Sequence, residues 1–178
     1  MIALEPNADL ANHLRKLALP GLSVVQAAAG ANAGNGTMSD DATGGWRHPT
    51  AKLGGQGGWQ QSCRILPLSD ILTPTPSALV VKIDVEGDEL AVVRGMGELL
   101  RLPYLLLIIE VERRPMADPE ALFDLLAAKG LGAWQLSYGR LHRATPRDVP
   151  TPPPGGAPRL ARLHGYRNNF IFRREHQA

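Results

Sequence analysis

The chain has one cysteine, Cys63, among its 178 residues. That excludes an internal disulfide and fits a reducing compartment. No second cysteine and no histidine lies near it in sequence, so Cys63 reads as a small half-buried hydrophobe rather than a metal ligand. A charge excess is also lacking: Lys+Arg 19 against Asp+Glu 17 leaves a formal net charge of +2. That balance gives no argument for nucleic acid or an acidic membrane surface as partner. The longest apolar run, Leu102 to Ile109, contains Pro103 and is far too short to span a bilayer. At the start, Met1-Ile2-Ala3-Leu4 gives way at once to Glu5-Pro6-Asn7, with no basic region and no long apolar stretch of a targeting signal. The histidines at 13, 48, 142, 164 and 176 have no metal-ligand spacing and read as solvated or capping residues. These absences define the expectation of a soluble, cytoplasmic protein without a nucleic-acid or membrane partner.

What is present is enough apolar sequence, 44% of residues, to build the core of a single domain. Gly 19 and Pro 15 are more than average and collect in two stretches. Ala31 to Gln61 shows no sustained period and reads as a long loop, with room for a short strand or hairpin around Gly36 to Met38, and Ser62 to Leu66 reads as another strand. Thr145 to Pro158 reads as a solvated Pro/Gly linker between the last two strands.

Between these stretches strands and helices alternate. Ile2-Ala3-Leu4 reads as the end of a buried strand and Asn7 as a helix N-cap. Leu10, Leu14 and Leu17 mark the apolar face of the helix that follows. Leu22 to Ala28 reads as a second strand, so the chain opens as a parallel βαβ unit. Ala78 to Val85 is a β-branched strand, and Asp88 heads a helix with Leu90, Val93, Gly97 and Leu100 on one face. Tyr104 to Val111 is a further continuous apolar strand. Asp118-Pro119-Glu120 starts a helix whose buried face is Leu122, Leu125 and Leu126. Ala133 to Tyr138 and Asn169 to Arg173 close the sequence as strands. This order predicts an α/β fold with a mostly parallel sheet, in which ligands sit at the carboxyl ends of strands.

Charged residues gather at those ends. Glu5 ends the first strand, where a carboxylate can accept from both hydroxyls of a ribose. The plainer reading is an acid beside the N-terminus of the Asn7 helix. Lys82, Asp84 and Glu86 alternate on one side of a strand whose other side carries Ile83 and Val85. In a covered sheet such charges are paired or at the rim, so Asp84 and Glu86 are expected at the crevice with Lys82 as partner. Glu110 and Glu112 repeat the pattern one strand later. A carboxylate cluster of this kind serves acid/base work beside a cationic donor, or binds a divalent metal.

LEPN, then AAG, then VKIDVEGDELAVVRGM, then IIEVE and a final NFIF together resemble the FkbM-type methyltransferase family. The match to KIDVEG followed by E-x-x-V-x-x-G-M is long and specific. ILPLSDIL stands where that family usually has a TLDDL-like segment, with Ser69 replacing its first acid. The resemblance runs from Met1 to Arg173. It implies a Rossmann-like fold with one antiparallel C-terminal strand, S-adenosylmethionine as cofactor, and O-methylation of a sugar or natural-product hydroxyl. It further implies that Glu5 holds the ribose, that Asn7 is another cofactor contact, that Ala28 to Gly30 lie near the adenine, and that Asp84 and Glu86 sit beside the methionine moiety and acceptor. Lys82, Asp84, Glu86 and Glu110 are the candidate catalytic residues, and Asp84 counts also among the cofactor contacts. The family carries a glycine-rich strand, loop and helix ahead of the LEPN strand. Here Met1 falls inside what would be the second strand, so the first βα unit is expected to be missing. GANAGNG (Gly30 to Gly36) follows the wrong strand for that loop and reads as a turn. Two other classes stay open: a metal-dependent hydrolase or transferase built on the carboxylates, and a non-catalytic remnant.

Overall fold

The computed structural model describes residues 1–40, 52–54, 58–114, 116, 118–152 and 166–175. Asn7 sets the first unit. Its side chain accepts from the N–H groups of Asp9 and Leu10, capping helix α1 (Ala8–Lys16). On either side lie β1 (Ile2–Leu4) and β2 (Ser23–Val25), paired in parallel as the βαβ reading requires. The Leu10, Leu14 and Leu17 face of α1 is less covered than expected. Ala11 is the buried residue of the helix, and Leu17 is exposed. A two-stranded sheet offers too little surface to cover a whole helical face.

The second strand ends early. Gln26 and Ala27 separate β2 from β3 (Ala28–Ala29), which joins a different sheet. That sheet has the order β3-β6-β4-β5, with β4 spanning Gly34–Asp40, β5 Lys52–Leu53 and β6 Trp59–Leu66. The stretch expected as a loop thus contains a hairpin in seven-residue register, Gly34 opposite Ile65 through Asp40 opposite Trp59. GNGTMSD hides its strand because cross-strand pairing with WQQSCRIL, not its own propensity, holds it extended. Residues 41–51 and 55–57, the rest of that expected loop, lie outside the described residues.

After a single turn, α2 (Leu68–Ile71), the larger sheet begins. It is built from β7 (Ala78–Ile83), β8 (Tyr104–Glu110), β9 (Leu131–Ser137), β10 (Arg140–Arg143) and β11 (Asn169–Arg174), in the order β10-β9-β11-β8-β7. β7 and β8 are parallel, and β11 lies antiparallel to both β8 and β9. The C-terminal strand is therefore antiparallel as expected, but the sheets are not mostly parallel. Among the described residues three strand pairs are parallel and five antiparallel. The excess comes from two hairpins with weak sequence signals. One is β4–β6. The other is β9–β10, which turns on Tyr138 and Gly139 at φ 49° and 73°.

One face of the large sheet makes the core. Leu105, Leu107 and Ile109 of β8, Phe170 and Phe172 of β11 and Ile83 of β7 are buried there against α3 (Glu89–Arg94) and α4 (Pro119–Ala128). Phe123 of α4 meets Phe170 and Phe172 edge-on, at centroid distances of 5.3 and 5.1 Å. The opposite face is more open: Val80 is 67% exposed. On β9, Trp134 is stacked on by Arg143 and Arg173, each 5.0 Å from its ring. The expected linker is docked where it is described. A short turn at Pro146–Asp148 is closed by Thr145 and Asp148, and Val149 is buried. Arg113 donates from its backbone to Pro150 and from its guanidinium to Pro146. Proline supplies acceptors but no N–H, so the neighbouring arginines hold the segment down. Residues 153–158 of it lie outside the described residues.

The small and large units meet backbone to backbone. A Cβ on Gly95 would stand 2.0 Å from the carbonyl oxygen of Gly30. Gly95→Ala should therefore lower the melting temperature markedly, because only backbone movement relieves the clash. Phe172→Ala should cost about 3–5 kcal/mol. Chemical denaturation of each variant against wild type measures both.

Candidate functional site

β7 and β8 run side by side with Lys82 opposite Ile108 and Ile83 opposite Ile109. Their carboxyl ends therefore emerge together. Past Ile83 the chain turns sharply through Glu86, φ 56°, and Gly87, φ 115°, backbone angles that favour glycine at the second position. Glu89 at the start of α3 reaches back and accepts from the Gly87 N–H at 3.0 Å, which closes the turn. Asp88 heads α3 as expected but makes no side-chain cap. The result is a small cleft lined by Asp84, Glu86, Glu89, Glu110 and Glu112.

Among the described residues Lys82 faces two of these acids. Lys82 Nζ lies 3.3 Å from Asp84 Oδ2 and 3.9 Å from Glu110 Oε2. Both side chains of the Lys82–Asp84 pair are about half exposed, so the pair sits at the rim and Lys82 lies no deeper than Asp84. Among the described residues β7 is the edge strand of its sheet. From the other direction β11 brings two neutral donors. Asn168 Nδ2 donates to Glu110 Oε1 at 2.5 Å and to Glu112 Oε1 at 2.8 Å. Tyr166 donates its hydroxyl to Glu112 Oε1 at 2.5 Å.

Glu110 feels this arrangement most. Burial pushes its pKa up to about 7, the negative charge of Asp84 adds to the rise, and Lys82 opposes it. Burial also raises Glu89, against the pull of the backbone N–H groups of the 85–89 turn. Tyr166 is raised by burial and by its bond to Glu112. The cleft thus holds a carboxyl that exchanges its proton near neutrality, beside two acids and an ammonium, a composition suited to moving a proton.

The fold brings together Lys82, Asp84, Glu86 and Glu110, as the sequence expects. Glu89, Asn168 and Tyr166 were not singled out. The signal for Glu89 lay in the motif KIDVEGDE itself. For Asn168 it lay in an antiparallel strand that places the residue before Asn169, itself opposite Glu110. Among the described residues no group of three or more His, Cys, Asp or Glu side chains is arranged to hold a metal ion, so the metal-dependent reading gains nothing here.

The remaining candidates are elsewhere in the fold. Glu5 follows β1 and is half-buried; its Oε1 accepts the Asn7 N–H at 2.8 Å, and burial raises its pKa. Asn7 is buried, with Oδ1 spent on the cap and Nδ2 without a hydrogen-bond partner. Ala28 is buried in β3. Gly30 donates its N–H to Leu66, and a Cβ on it would stand 2.5 Å from Ile65. Gly30 is a packing residue, not an open turn.

No protein-family model matches the sequence, and no curated protein matches it. The fold is similar to the crystal structure of methyltransferase FkbM from Methylobacillus flagellatus KT, with a TM-score of 0.51 over 96% of this chain at 16% identity. The chain spans 35% of the length of that protein. The likeness establishes the mixed α/β architecture at the level of fold. No described helix is long and apolar enough to cross a membrane.

Glu110 also ties stability to pH. Its folded pKa lies above the ordinary carboxylate value, so the folded state holds a proton that the unfolded chain has released. Its contribution is complete below about pH 4 and is lost as pH rises through about 7. Melting temperatures should fall across that window in wild type and fall less in Glu110→Gln.

Proposed function

We propose that this chain is the larger part of an S-adenosylmethionine-dependent methyltransferase domain of FkbM type, acting on a hydroxyl of a sugar or natural-product-like small molecule. One observation carries the reading. In a fold similar to a methyltransferase's, the acid-bearing ends of β7 and β8 converge on one cleft that holds a carboxyl titrating near neutrality. S-adenosylmethionine, when bound, supplies an electrophilic methyl group on a sulfonium sulfur. The chain's part is to position the acceptor and remove its proton. Glu110 would take the hydroxyl proton, with Asp84 and Glu86 orienting the oxygen and Lys82 limiting the charge that builds up.

The cofactor residues fit in part. Glu5 keeps one carboxylate oxygen beyond its bond to Asn7, and the buried amide of Asn7 has a donor to spare. Those two groups suit a ribose diol. Ala28 and Gly30 do not suit an adenine: both are buried, and the Gly30 N–H is already used.

The same reading explains two open features. β1 pairs with β2 alone and β7 with β8 alone, so each keeps one backbone edge with no strand partner among the described residues. Val80 and Ile2, on those strands, are exposed. We propose that one further parallel strand, followed by a helix, belongs between β1 and β7 in the longer protein. The strand would fill both edges, and the helix would cover the open face of the large sheet. Unsatisfied backbone groups cost roughly 1–3 kcal/mol each, so several approach a domain's net stability of about 5–15 kcal/mol.

Two calorimetric measurements test this. The longer protein should bind S-adenosylhomocysteine at micromolar concentration and melt well above residues 1–178, which alone should bind it weakly or not at all. Tight binding and a cooperative melt by residues 1–178 alone would remove the extra strand. In the longer protein, Glu5→Gln should weaken binding by on the order of 1.5–3 kcal/mol, and unchanged affinity would remove Glu5 from the site.

A further inference from the structure

The opening βαβ unit and the small sheet border an open groove of about 860 Å³, a size that holds a small organic ligand. Arg15 of α1 and Gln26 line it from one side. Asn35, Thr37, Ser62 and Arg64 of the β4–β6 hairpin line it from the other. In the hairpin register Asn35 stands opposite Arg64 and Thr37 opposite Ser62, so these four side chains share one face. The hairpin packs with its other face, where a Cβ on Gly36 would meet Ile65 and Leu53. The polar face is thus left to the groove. Among the described residues two arginines line the groove and no carboxylate does. Arg64 is exposed and has no hydrogen-bond or ion-pair partner among the described residues. Arg15 is held by the Asn12 side chain, 2.9 Å from Nη1, and by the Val24 carbonyl, 3.4 Å from Nη2. Those contacts orient the guanidinium and leave it further N–H donors.

We propose that this groove binds a sugar phosphate. Phosphate oxygens accept in the geometry of the guanidinium fork, and the two arginines supply the opposite charge. Hydroxyl and amide side chains, which both donate and accept, match the hydroxyls of a sugar ring. A bare phosphate ion would leave most of the groove empty. A neutral sugar would leave both guanidinium groups without a counter-charge. A nucleic acid is the poorer occupant, since a chain of formal net charge +2 offers its long phosphate backbone no extended counter-surface. The inference goes beyond the proposed methyl transfer and does not depend on it. No residue of the groove belongs to the acid cleft or to the cofactor candidates Glu5, Asn7, Ala28 and Gly30. Its test contains no methyl donor, so either reading can fail while the other stands.

The test titrates residues 1–178 separately with glucose 1-phosphate, inorganic phosphate and glucose, with potassium chloride holding ionic strength constant. The melting temperature reads binding to the folded chain. Protection of arginines from phenylglyoxal, mapped by mass spectrometry, reads where the ligand sits. The sugar phosphate should saturate, raise the melting temperature and shield Arg15 and Arg64. Arg101, exposed and outside the groove, should react as before. Inorganic phosphate should bind roughly tenfold more weakly, and glucose should give no response. Arg64→Gln and Arg15→Gln should each weaken binding of the sugar phosphate by roughly fivefold or more. Both replace exposed side chains, so the core is untouched. No protection of the two arginines, equal protection of Arg101, inorganic phosphate binding as tightly as its sugar ester, or unchanged affinity in either variant would each overturn the proposal.

Discussion

The placement of β11 between β8 and β9 is the constraint on which the rest depends. It is the last described strand of the chain, yet it sits inside the sheet and hydrogen-bonds on both sides. Phe170 and Phe172 fill the core from it, and Asn168 and Tyr166 precede it at the edge of the cleft. Packing and site geometry are thus fixed by one event. A slip of one residue would turn both phenylalanines out of the core and withdraw Asn168 from Glu110. The apolar term is much the larger, so the core sets the register and the polar contacts follow it.

Electrostatics pull the other way. Five acids around one small cleft repel, and Lys82 beside them is half exposed and therefore screened. The fold supports the cluster with neutral donors: an amide shared by two carboxylates, a phenol, and backbone N–H groups at a left-handed turn. Neutral donors hold carboxylates in place without cancelling their charge. The acids remain acids, and the proton affinity of Glu110 rises in consequence.

Much of this was legible in the sequence, for identifiable reasons. The opening βαβ unit, the β7 and β8 strands and the meeting of Asp84, Glu86 and Glu110 follow from apolar runs whose ends are acids. β11 was visible from NFIF, though not its role in orienting glutamates, because register between distant strands leaves no local mark. Of the β4–β6 pairing only short pieces around Gly36 to Met38 and Ser62 to Leu66 were visible, and β10 was missed, since GNGTMSD and RLHR carry no apolar alternation and depend on their partners. The Pro-rich segment looked solvated because the groups holding part of it, Arg113 and Arg114, lie more than thirty residues upstream. Gly30 looked like a turn because a glycine needed for close packing and one needed for a bend are the same letter.

The stacking of Arg143 and Arg173 on Trp134 has an optical consequence. Trp134 belongs to the large sheet and Trp59 to the small one, so each sheet carries an indole. The two guanidinium groups come from the strands on either side of β9. Separation of β10 or β11 therefore alters the surroundings of Trp134, while its emission stays insensitive to events confined to the β4–β6 hairpin. With Trp46 replaced throughout, and Trp134 as the remaining reporter in one variant and Trp59 in another, intrinsic fluorescence distinguishes sequential loss of the two sheets from a single cooperative transition, with no attached dye.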